Sequence, residues 1–103
     1  MEKEAYHEDL RGRVHGLLIE VADQLPSTTV ELVTELIDAN ESGVALEMLS
    51  EMLVESTAEI SPTALLMASD LVDTMRLDRA NVDRLRPLVR PSAEEIGSPD
   101  EPS

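Results

Sequence analysis

A chain of 103 residues suits one folded unit with a single hydrophobic core, and its formal net charge of −14, from 22 acidic and 8 basic residues, repels nucleic acid and anionic membranes. Cysteine, Trp and Phe are absent and Tyr6 is the one aromatic residue, which excludes disulfides, thiolate metal sites and cysteine nucleophiles and removes the platforms on which single-stranded nucleic acid stacks. The charged start Met1-Glu2-Lys3-Glu4 leads into no apolar run of signal-peptide or membrane-spanning length, so a cytoplasmic location is expected.

Leu10, Val14, Leu17, Leu18, Val21 and Leu25 recur at intervals of three and four, predicting a first helix over about residues 3–25 that stops before Pro26. Thr28-Thr29-Val30-Glu31 has the spacing of a capping box, and a second helix to about Ala39 turns Val30, Val33, Leu36 and Ile37 inward. Asn40 and Gly43 mark a turn, with Ser42 placed to cap the next helix. That third helix carries Ala45, Leu46, Leu49, Met52 and Leu53 on one side as far as about Glu55. Ser61-Pro62 reads as an N-cap followed by proline at the first helical position, and a fourth helix to about Met75 buries Leu65, Ala68, Leu71, Val72 and Met75. Val82, Leu85, Leu88 and Val89 predict a short fifth helix interrupted by Pro87. The expectation is an all-α fold over residues 1–90, an antiparallel bundle of four main helices plus a short C-terminal one; residues 91–103, rich in Pro, Ser and acid, are expected to be a disordered tail.

The placement of charge says more than its total. Between Val14 and Met75 stand twelve Asp or Glu residues and no Lys or Arg. Glu47, Glu51 and Glu55 lie four residues apart on the third helix, opposite its apolar side; Glu31, Glu35 and Asp38 repeat the pattern on the second, and Asp70 and Asp73 on the fourth. Like charges at this spacing cost a helix roughly 0.2–0.5 kcal/mol per pair, whereas an ordinary solvated helix mixes the two signs. Solubility alone is one reading of such a surface. The other is a docking face for a basic protein, formed by Glu31, Glu35, Asp38, Glu41, Glu47, Glu51 and Glu55.

Sharper motifs do not complete themselves. Asp38-x-Asn40-x-Ser42-Gly43 matches the first half of a calcium loop, but Leu49 occupies the twelfth position where a bidentate Glu belongs. Glu41-Ser42 at the head of an acidic helix is similar to the attachment serine of acyl carrier proteins, yet Gly43 and Val44 follow where Leu and Asp are usual. His7 and His15 are eight residues apart, about 12 Å along a helix and too far to share a metal ion. No Ser-His-Asp ordering, phosphate-binding glycine loop or nucleophile elbow is present, so neither an enzyme nor a resident cofactor or metal is expected.

The stretch from Ile37 to Leu49, Ile-Asp-Ala-Asn-Glu-Ser-Gly-Val-Ala-Leu-Glu-Met-Leu, resembles the core signature of MafI-type immunity proteins of bacterial polymorphic toxin systems, in which a short acidic turn and a glycine precede Ala-Leu-Glu-x-Leu. The likeness extends through Leu53-Val54-Glu55, Ile60-Ser61 and Met75-Arg76-Leu77-Asp78, and more loosely to Leu85-Arg86-Pro87-Leu88-Val89. It departs at Leu53-Val54-Glu55-Ser56, where the family often has aromatic residues, and at Ser50, where a cysteine is common. The resemblance implies a bacterial protein that neutralises a cognate toxin, frequently a nuclease with a basic channel. An acidic adaptor that binds a basic regulator fits the same composition, as, more distantly, does an acyl-carrier-like protein. An aliphatic stripe also suits a sister copy, which leaves a homodimer open.

Overall fold

Prolines and left-handed residues divide this chain into helices. The computed structural model describes residues 2–90, and side chains from Tyr6 onward; the tail expected over 91–103 lies outside them. Helix α1 spans Glu2–Val21 and runs on through a 3-10 turn, Ala22–Gln24; α2 spans Ser27–Asp38, α3 Ser42–Glu55, α4 Pro62–Met75 and α5 Ala80–Asp83, with a second 3-10 turn at Arg86–Leu88. The architecture is the expected all-α bundle with a short C-terminal helix. No helix among the described residues is long and apolar enough to cross a membrane.

Three helices end in the same way. Asn40 (φ 67°), Thr57 (φ 50°) and Arg76 (φ 58°) turn left-handed after α2, α3 and α4. The next amide then donates back five residues, Glu41 to Leu36, Ala58 to Leu53 and Leu77 to Val72, at 2.9–3.0 Å. These paired bonds satisfy carbonyls that a helix end leaves open, and the chain reverses within a few residues. At the start of α4 the expected cap is present: the Ser61 hydroxyl accepts from the Ala64 amide at 3.0 Å, with Pro62 in the first turn.

Two local expectations need correction. The capping box at Thr28–Glu31 does not form, because α2 already begins at Ser27 behind Pro26, whose extended ψ of 150° sets the entry, and no side chain caps it. Gly43 is not a turn residue: it lies inside the first turn of α3, Ser42 is that helix's first residue rather than a side-chain cap, and the reversal falls on Asn40.

The core is aliphatic. Leu10, Val14, Leu17, Leu18 and Val21 of α1 meet Val33 and Ile37 of α2, Ala45, Leu46, Leu49 and Leu53 of α3, and Ala68, Leu71 and Val72 of α4, all buried in one cluster. Leu25, Val30, Leu36, Met52, Leu65 and Met75, all expected inside, are only half-buried. Helix α1 lies antiparallel to α4, as contacts along its length show. The Tyr6 hydroxyl donates to the Thr74 carbonyl at 3.4 Å, Arg13 pairs with Asp70, and the Ser61 hydroxyl donates to the Glu20 carboxylate at 3.0 Å. A buried Ile60, absent from the expected core, ties down the C-terminal segment. Its amide donates to Leu88 and its carbonyl accepts from Arg90, each at 3.0 Å, in a short parallel bridge.

Candidate protein-docking face

Helices α2 and α3 form an antiparallel hairpin through Ala39–Glu41, which brings their outer faces side by side. Glu31, Glu35 and Asp38 on α2, Glu41 in the turn, and Glu47, Glu51 and Glu55 on α3 are all exposed. Their placement follows from the helical period: Val33 and Ile37 inward put Glu31, Glu35 and Asp38 outward, and Leu46, Leu49 and Leu53 inward do the same for the α3 ridge. Successive ridge carboxylates on α3 are about 6 Å apart along the axis. None of the seven takes part in an ion pair among the described residues.

Outside the hairpin, five of the nine carboxylates on described side chains are paired with arginine, and Glu8, Glu20, Asp23 and Asp78 are not. Arg13 bridges Asp9 at 3.3 Å and Asp70 across the α1–α4 interface; Arg79 holds Asp73 at 2.7 Å, Arg86 holds Asp83 at 3.3 Å, and Arg90 holds Glu59 at 3.5 Å. The expectation that Asp70 and Asp73 continue the uncompensated ridge onto α4 is therefore corrected. The cations that reach them come from α1 and from the loop after α4.

The hairpin face also carries apolar side chains that the charge pattern did not single out. Leu32 on α2 and Val44 on α3 are each 46% exposed. Both lie off the inward stripe of their helices, and that is the sequence signal by which they can be found. Val44, Met48 and Met52 follow at intervals of four along α3, in a row next to Glu47, Glu51 and Glu55. A second exposed apolar pair, Ile19 at 64% and Leu66 at 69%, belongs to α1 and α4.

Other candidate chemistry finds little geometry. Ser42 is buried, 7% exposed, in the first turn of α3. His15 is exposed; the His7 ring stands edge-on to Tyr6 with centroids 5.7 Å apart. Among the described residues no three His, Cys, Asp or Glu side chains converge as metal ligands. The hollow between α1 and the end of α2, lined by Glu8, Arg11, Gly12, His15, Ile37 and Asp38, is a shallow surface dip of about 230 Å³. Comparison with known protein families, curated proteins and solved structures finds no match to this chain.

Proposed function

We propose that this protein is a stoichiometric binding protein whose α2–α3 face holds a basic protein, and that its partner is a cognate toxin domain of the nuclease kind. The observation that carries the reading is the contrast between two parts of one surface. Five of the nine described carboxylates outside the hairpin, Asp9, Glu59, Asp70, Asp73 and Asp83, have an arginine, whereas none of the seven on the α2–α3 hairpin does. Repulsion along the ridge is a standing cost to the fold, and a partner of opposite charge relieves it on binding. The resemblance to MafI-type immunity proteins supplies the toxin; electrostatics supplies only the sign of the partner. A basic channel made for phosphate either receives this face directly or is blocked from beside it.

Charge reversal tests the reading. The triple variant E47K/E51K/E55K is expected to fold as the parent does, since all three side chains are exposed, and to lose protection of cells that express the cognate toxin. A parent-like level of protection would sink the assignment of this face. An adaptor role is distinguished by the captured partner: a basic regulator with no toxic activity in place of a toxin. A carrier role needs an accessible hydroxyl at Ser42, and the burial of that residue weighs against it.

A further inference from the structure

Charge alone steers a partner without anchoring it, because tight complexes depend on a few apolar side chains excluded from water at the centre of the interface. The rotation of α2 and α3 about their axes places such a centre. Ile37 and Asp38 line the hollow against α1, so the opposite edge of α2, with Leu32 and Leu36, is turned to α3. A Cβ built on Gly43 would lie 3.7 Å from Leu77, so that edge of α3 faces the segment after α4, and Val44, Met48 and Met52 are turned to the outer edge of α2. The hairpin thus presents an apolar seam between two acidic ridges. From Val44 to Met52 the seam runs about 12 Å, or two turns of a helix.

We propose that this seam is the anchoring subsite of the docking face and that its occupant is a basic amphipathic helix of the partner protein. The inference rests on the acidic-face reading and specifies what that face recognises. Apolar side chains spaced i, i+4 and i+7 on the incoming helix fill the seam, and Lys or Arg on either flank meets Glu31 and Glu35 on one side and Glu47 and Glu51 on the other. Met48 and Met52 suit this role, since unbranched thioethers repack around an imported side chain at little cost. A second copy of this chain is a poor occupant, because it would bring the same unpaired carboxylates against themselves.

The test uses the full chain and two synthetic peptides of identical composition, each of about 18 residues: one with Leu along a single helical face and Lys on its flanks, the other with the same residues scrambled. Titration at about 0.15 M salt is expected to show the amphipathic peptide binding at least roughly tenfold tighter. L32S/M48S should abolish that advantage while leaving the weaker, salt-sensitive attraction for both peptides; I19S/L66S, on the α1–α4 side, should leave it intact. Methyl NMR on the unaltered protein locates the peptide even if a variant folds poorly, with shifts expected at Leu32, Val44 and Met48. Equal binding of the two peptides, or shifts confined to Ile19 and Leu66, overturns the seam and leaves the acidic face standing. Binding of neither peptide by the parent protein overturns both.

Discussion

Thr57 closes α3 with a φ of 50°, where a β-branched side chain crowds its own backbone. The residue is held there by the amides that follow the helix, Thr57 donating to Val54 at 3.1 Å and Ala58 to Leu53 at 3.0 Å, and by burial of Ala58 and Leu53 on either side of the turn. Glycine relieves the steric cost but loosens the unfolded chain, so the two effects oppose each other. The steric term is the larger. T57G is expected to raise stability by about 0.5–1 kcal/mol, read as a shift in the urea midpoint at constant slope. Asn40 performs the same task between α2 and α3 with less strain, since its short polar side chain tolerates the left-handed region.

At the scale of the helix, the α3 ridge sets stability against recognition. Glu51 faces like charge on both sides, at Glu47 and Glu55, and replacing it with lysine turns two repulsive pairs into two attractive ones. E51K is therefore expected to stabilise the protein by about 1 kcal/mol in thermal unfolding while slowing capture of a basic partner. A variant that gains stability and keeps its association rate would show that the ridge is mere solvation. This scale also explains what could be read in advance. The four main helices and most of their inward residues follow from spacing, and Ser61-Pro62 from a cap that involves only neighbours in the chain. The pairing of Arg13 with Asp70 spans 57 positions and depends on how α1 lies on α4, so nothing local announces it. Burial of Ile60 was hidden for the same reason: it belongs to no periodic segment and gains its partner only when the chain returns at Leu88. The seven ridge carboxylates were legible as exposed acid; Leu32 and Val44 between them were passed over because off-stripe apolar residues gain meaning only once two helices stand side by side.

Over the whole molecule the 8 basic residues lie outside the α2–α3 hairpin, and four of them, Arg13, Arg79, Arg86 and Arg90, are engaged with acid on α1, α4, α5 and the loop before α4. Among the described residues the hairpin thus gathers seven carboxylates and no cation on one face. A partner arriving by diffusion is oriented before contact, and its association rate should exceed the roughly 10⁵–10⁶ M⁻¹s⁻¹ of unsteered pairs by one or more orders at low salt. Stopped-flow mixing across an ionic-strength series measures this directly: the rate of capture should fall steeply with salt while dissociation changes little, and a flat series would remove electrostatics from the mechanism.

The bridge between Ile60 and Val89 acts as a latch. It joins the loop ahead of α4 to the last described turn of the chain, and each of its two amide bonds spans about thirty positions. Such a latch cannot open piecemeal. In deuterium exchange on the native protein the Ile60 and Arg90 amides are expected to be labelled together, on one timescale. Faster, independent labelling at Arg90 would mean that the segment around Val89 opens without disturbing the bundle.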